Sequence, residues 1–219
     1  MGNAVLATLA LFVVLEGAAM ILYPGGTCWD PAAHGHRFWE NFLCDLEWSV
    51  ARNGMPNPTG SLLAEAAMIL LALSLAPHWI LVGRVLRHGT RLGGLVRGLG
   101  LASVAGSVLV NLLPSNRFGV ALHGAAVVVA GLPGLSATAL SVVGLRAAEA
   151  RPRVSAMLGG ALLVVAFADF VLYLGTFVLG GPGPLALPAA QKIALMLLLA
   201  WMASVALGSR RTGASVQGV

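Results

Sequence analysis

Six runs of about 20 predominantly apolar residues divide this sequence, and each run is apolar on every helical face. A helix rises about 1.5 Å per residue, so a run of that length crosses a hydrocarbon core of about 30 Å. A soluble helical bundle of this size would need a polar face on each helix, and these runs supply none. Composition agrees: 58% of the 219 residues are hydrophobic and 10% are charged, against roughly 25% charged in a soluble domain. The expectation is an all-α, polytopic membrane protein forming a single transmembrane domain over 1–219. Its spans fall at about 3–22, 61–82, 98–113, 118–145, 156–179 and 189–207. No positively charged region precedes the first run, which therefore reads as a span and not as a cleaved signal.

The net charge of +5 invites a nucleic-acid reading, but its distribution excludes one. The arginines sit in short clusters between apolar runs, where membrane topology signals sit, and no Gly-rich phosphate loop is present. With both termini cytoplasmic, the inner segments hold Arg84, Arg87, Arg91, Arg97, Arg146, Arg151, Arg153, Arg210 and Arg211. The outer segments hold Arg37, Arg52, Arg117 and Lys192. That asymmetry predicts a multi-pass protein of the cell membrane with residues 23–58 on the extracytoplasmic side.

Segment 23–58 interrupts the apolar pattern with both cysteines, His34 and His36, the acids Asp30, Glu40, Asp45 and Glu47, and three of the five tryptophans. Within it, Phe38, Phe42, Leu46 and Val50 recur every four residues, predicting a short extracytoplasmic interfacial helix over about 37–50, between spans 1 and 2. Asn53-Gly54 and Pro56-Asn57-Pro58 turn the chain into span 2. Cys28 and Cys44 are either a disulfide on the oxidising side or two free thiols.

The ionisable residues inside the spans are distributed unevenly. Glu16, Glu65, His123 and Lys192 lie in the outer half of their spans and Asp169 near the midplane. His78 and His88 read as interfacial residues at the cytoplasmic edge. A charged group at a helix centre costs at least about 2.5–3.5 kcal/mol, so such groups face the interior and find partners. Either they form internal ion pairs, Lys192 with Asp169 or Glu16, or they line a water-filled pocket that opens outward beneath segment 23–58. The small residues Gly94, Gly98, Ala102 and Gly106 form a stripe expected to pack within the bundle.

Specific chemistries are thinly marked. His34, His36, His123, Asp45, Asp169 and Glu65 are residue types that bind zinc, but His-Gly-His is no specific ligand motif and no HExxH occurs. A nucleophile elbow is absent. Ion- or proton-coupled transport fits the intramembrane charges, yet no inverted repeat is visible. No cofactor is indicated.

At YPGGT (23–27), FWENFLCDL (38–46) and NRFGVALHG (116–124) the chain resembles the bacterial six-span membrane family catalogued as "domain of unknown function 998". Asn41, Asp45, Gly54 and Asn57 match that family's pattern, Cys44 stands where serine is usual, and Glu47 where glycine is usual. The chain is also distantly similar to eukaryotic six-span proteins of the autophagy-modulator type, whose first outer loop carries a comparable segment. The resemblance implies the six-span fold and favours Asn41, Asp45 and His123 as site residues. Together these readings predict an outward polar pocket that binds a membrane lipid headgroup or a small amphipathic molecule. Asn41, Asp45, Asn57, Asn116 and His123 would contact the ligand, above a floor of Glu16, Glu65, Asp169 and Lys192. The alternative is an outer-leaflet lipid hydrolase or transferase, metal-free or metal-dependent, with Asp45 and His123 as catalytic acid/base groups or metal ligands.

Overall fold

A computed structural model describes residues 1–86, 91–147 and 153–216, the last seven of these by their backbone alone. Its long helices are α1 (Gly2–Leu22), α3 (Pro58–Val85), α4 (Arg91–Leu112), α6 (Val120–Ala147), α7 (Arg153–Tyr173) and α8 (Leu187–Val216). Two single turns, α2 (Leu43–Leu46) and α5 (Ser115–Phe118), complete the set, and a π-helical turn, Leu174–Val178, extends α7. Six helices are long and apolar enough to cross a membrane, which makes this a multi-pass membrane protein. Large apolar side chains are left exposed along these helices, among them Val14, Ile21, Leu62, Val143, Met157 and Val164.

Local chemistry fixes the helix ends. Asn57 precedes α3, and Pro58 occupies its first turn, where a missing N–H costs nothing. Pro114 stops α4 two residues after Leu112 and begins α5. The predicted 14-residue helix over 37–50 is reduced to the one turn of α2. Turns and bends occupy most of the flanking positions, because side chains of this segment bond to its own backbone instead of leaving it to a helix ladder.

The spans pack as a closed ring in the order α1, α3, α4, α6, α7, α8, with α8 returning to α1 and also touching α3. Where α1, α3 and α8 meet, Val5, Phe12, Trp79, Trp201 and Met202 are buried in one core. Trp79 presses against α4 at Gly100, where any Cβ would overlap the indole, and Trp201 lies against Gly159 of α7. His78 belongs to this core and not to an interface: it is fully buried, with ring centroids 5.2 Å from Trp79 and 4.7 Å from Trp201. The expected edge position is corrected here, because α3 continues to Val85 and carries His78 inside the bundle. His88 lies outside the described residues.

The small-residue stripe also resolves differently. Gly106 meets the backbone of Ala130 on α6, but Gly94, Gly98 and Ala102 are exposed. The face of α4 that packs is Gly93, Val96, Gly100, Ser103, Val104 and Gly106.

Candidate functional site

Segment 23–57 folds around its own polar side chains. Gly25 and Gly26 have φ of 137° and 85°, and a Cβ on Gly25 would overlap the Ala33 carbonyl, so this tight turn requires glycine. Tyr23, buried, donates its hydroxyl to the Gly26 carbonyl (3.3 Å) and accepts from the Arg52 N–H (3.2 Å). Burial, outweighing the Arg52 N–H that favours the phenolate, pushes that phenol up to about 12. Asn41 donates to the Gly26 carbonyl (2.7 Å) and to Asp45 Oδ2 (3.1 Å), and accepts from the Arg37 N–H (2.9 Å). Asp45 also accepts from the Phe42 N–H (2.9 Å) and, through Oδ1, from Arg52 Nε (2.7 Å). Asn57 donates to the carbonyls of Leu46 (3.1 Å) and Trp48 (3.0 Å).

That framework lies against a cavity of about 590 Å³, within the range of about 300–1,000 Å³ usual for ligand sites. Its wall on α6 runs from Val120 through His123, Val127 and Ala130 to Thr138. The eighteen helical steps from Val120 to Thr138 rise roughly 27 Å, so the cavity is long as well as large. The end near segment 23–57 is polar, with Cys28, Cys44, Glu47, Arg52, Asn116, His123 and Gln191, while Asp169 lies deeper on α7, next to the Phe170 that meets Gly131 of α6. The remainder is lined by residues such as Met68, Leu75, Val127, Leu135, Leu162 and Leu198. Ser103 and Thr138 lie there too, but each donates its hydroxyl to its own helix, to the Gly100 carbonyl (2.7 Å) and the Gly134 carbonyl (2.8 Å). Beyond Asp169 the cavity is therefore effectively apolar.

Of the residues expected at the site, Asn116, His123 and Asp169 line this cavity. His123 Nδ1 lies 2.9 Å from the Leu113 carbonyl. A carbonyl only accepts, so Nδ1 carries the hydrogen and Nε2 is left as the acceptor. Asn41, Asp45 and Asn57 are buried in the framework and do not reach the wall. Asp45 is fully enclosed with its acceptors occupied, so the expected Asp45–His123 pair has only His123 at the cavity.

The expected floor is dispersed. Glu65 pairs with Arg117 at 3.4 Å on a partly exposed surface. Glu16 is 3% exposed, and neither carboxyl oxygen has a partner among the described residues. Lys192 is buried but makes no ion pair with Asp169 or Glu16 among the described residues. Its ammonium donates to the main-chain carbonyl of Asn41 and sits 5.6 Å from the Phe38 ring. The turn around Asn41 presents a carbonyl directly to α8, and that neutral acceptor takes the place of the expected carboxylate.

Residues outside the expected contact set complete the polar end. Glu47 lines the cavity, is 5% exposed and has no hydrogen-bond partner among the described residues. Burial first, then the charges of Glu16 and Glu65, push its carboxyl up to about 8. Arg52 lies 4.3 Å over the Trp48 ring while bonded to Asp45. Gln191 of α8 accepts from the Leu43 N–H at 2.9 Å, fastening segment 23–57 to the bundle. Cys28 and Cys44 are free thiols, both on the cavity wall. Glu47 had one visible signal, an acid beside the Cys44-Asp45 pair, but its neighbours gave no reason to choose it over Glu40. Among the described residues no three His, Cys, Asp or Glu side chains gather as metal ligands would. His36 packs instead against Tyr23 and Phe38, and burial, reinforced by Lys192, lowers its imidazole to about 4.

Compared with known proteins, the chain matches no family model, no curated protein and no solved structure.

Proposed function

We propose that this protein binds a membrane lipid or another small amphipathic molecule, with the head at segment 23–57 and the chain lying along α6. The observation that carries the reading is the polarity gradient of one continuous cavity whose α6 wall is roughly 27 Å long: polar and ionisable side chains at the end by segment 23–57 and mostly apolar ones beyond. The arginine distribution supports an orientation with both termini cytoplasmic and segment 23–57 at the outer face of the cell membrane. Phe38 and Trp39, both exposed beside Arg37, suit a position at headgroup level. We read the chain as a member of the "domain of unknown function 998" family, since the motif residues Asn41, Asp45 and Asn57 are the ones that hold the segment together.

The experiment is native mass spectrometry of the purified protein, with extraction of whatever it carries. An amphiphile should be retained by the wild type and lost from Ala130→Trp, which fills the cavity midway. A detergent-purified protein that carries none, and takes up none from added lipid, would overturn the reading.

A further inference from the structure

We propose a second lipid site at the other end of the bundle, where Arg146 of α6 and Arg153 of α7 hold the phosphate of an anionic phospholipid. Phe177, in the π turn that extends α7, lies 5.7 Å from Phe42 of segment 23–57, and Arg153 opens α7 at its opposite end. A cavity of about 300 Å³ lies there between the two helices, lined by Leu145, Arg146, Arg153, Ala156 and Met157. It shares no lining residue with the larger cavity, so the inference stands apart from the reading above.

Arg146 reaches across from α6: its Nη2 lies 3.5 Å from the point where a Cβ on Gly160 of α7 would stand. Arg153, Met157 and Gly160 follow one another at helical spacing along one face of α7. Gly160 stands two turns, roughly 10 Å, along the helix from Arg153, and both arginines wall the small cavity between. Neither makes an ion pair among the described residues. Arg146 occupies the last turn of α6, where the helix dipole favours a cation. Arg153 occupies the first turn of α7, where the dipole opposes a cation and no acidic residue offsets it. An anion in the cavity would meet both guanidiniums and the positive end of α7 together.

What lies beside the arginines makes that anion a lipid head. Arg153 heads a stripe on α7 formed by Met157, Val164, Phe167 and Val171, all exposed and spaced to share one face. A free phosphate uses the guanidiniums alone. A phospholipid uses the guanidiniums for its head and the stripe for an acyl chain. Leu145, Ala156 and Met157 also give the cavity apolar walls, which suit the carbon skeleton of a lipid head and not a hydrated ion. With the termini cytoplasmic, this end lies in the inner leaflet, where anionic lipids collect basic residues.

The test is native mass spectrometry of the full chain in an uncharged detergent, titrated with dioleoyl phosphatidylglycerol or dioleoyl phosphatidylcholine, with and without inorganic phosphate. The series is repeated on Ala130→Trp, so that lipid held in the larger cavity is not counted. One phosphatidylglycerol should bind about tenfold tighter than phosphatidylcholine. Arg146→Gln and Arg153→Gln should each cut that preference about threefold, and the double variant should abolish it. Arg97→Gln removes an arginine of α4 that faces Gly83 of α3, away from the cavity, and should leave the preference intact. Equal binding of the two lipids would overturn the anionic assignment. An equal loss in Arg97→Gln would show a diffuse basic surface and overturn the site. Displacement of the lipid by inorganic phosphate would make the ligand the free ion and overturn the lipid. Each of these failures leaves the amphiphile reading of the larger cavity standing.

Discussion

Arg52 Nε stands 2.7 Å from Asp45 Oδ1, the shortest ion pair among the described residues, and the Asp45 carboxylate is wholly shielded from solvent. The pair closes a circuit in which Asp45 also accepts from Asn41 and from the Phe42 N–H. Removing one member of a buried pair strands the other, at a cost of about 3–5 kcal/mol. Asp45→Ala should lose stability on that scale, because Arg52, Asn41 and the Phe42 N–H all lose their acceptor. Arg52→Met should lose less, since two donors to Asp45 remain. Denaturant titrations in detergent would check the order. Equal, small losses would show that segment 23–57 does not depend on this circuit.

Glu47 gives a prediction in pH. Its carboxyl is raised from 4.5 to about 8 in the fold, so the folded state holds a proton that the unfolded chain releases near 4.5. The stability linked to this group is fully present below about pH 4.5 and is lost as pH rises through about 8. Glu47→Gln keeps the neutral shape and removes the titration. The variant should match the wild type near pH 4.5 and be the more stable of the two at pH 9, by on the order of 3–5 kcal/mol. Parallel stability profiles for the two proteins across that window would show that Glu47 titrates normally.

How far the sequence reached differs between spans and site for a physical reason. Long apolar runs determine their own helices, so α1, α6 and α7 lie within a few residues of their expected limits. Which face turns inward is decided by neighbours: Gly100 packs because Trp79 reaches it, and nothing in α4 alone distinguishes Gly100 from Gly98. In segment 23–57 the four-residue repeat predicted a helix, but Asn41 and Asp45 bond to local backbone and break the pattern into turns. The same bonds explain why Asn41, Asp45 and Asn57 are framework residues. A polar motif looks alike whether it serves a ligand or its own fold, and only closure of the turn separated the two. Asn116 and His123 were legible because the proline turn at Pro114 and the opening turn of α6 carry them straight to the cavity.

The thiols make a chemical prediction. Cys28 and Cys44 are unbonded to each other, and burial, outweighing the opposing pull of Arg52, raises the Cys28 thiol above its usual value. Cys44 is raised well above it, by burial first and then by Asp45 and Glu47. Thiolate is the reacting form, so alkylation at neutral pH should run at least about tenfold slower than for an exposed cysteine. After denaturation both should react at once, giving two added groups by intact mass. A protein that gains no label even when unfolded without reductant would show a disulfide instead. Labelling of intact cells with a membrane-impermeant reagent, alongside protease protection of a C-terminal tag, tests the proposed orientation: a tag cleaved from outside would reverse it.

Lys192 supplies the last prediction. An ammonium buried between spans would ordinarily be expected to sit on a carboxylate, yet its acceptor here is the Asn41 main-chain carbonyl, with the Phe38 ring 5.6 Å away. The contact joins α8 to segment 23–57, beside the second tie from Gln191 to the Leu43 N–H. Lys192→Met removes the donor and leaves that carbonyl without it, which costs about 1–3 kcal/mol. Because the acceptor is main chain, no side-chain replacement on the other side can restore the balance. Lys192→Met and Asp169→Asn should therefore add, with a coupling below about 0.5 kcal/mol in a double-mutant cycle. An ion pair would behave differently, since neutralising Asp169 would recover part of the loss caused by Lys192→Met. Recovery of that kind would place the ammonium on Asp169 and would remove this carboxyl from the groups left free for a ligand.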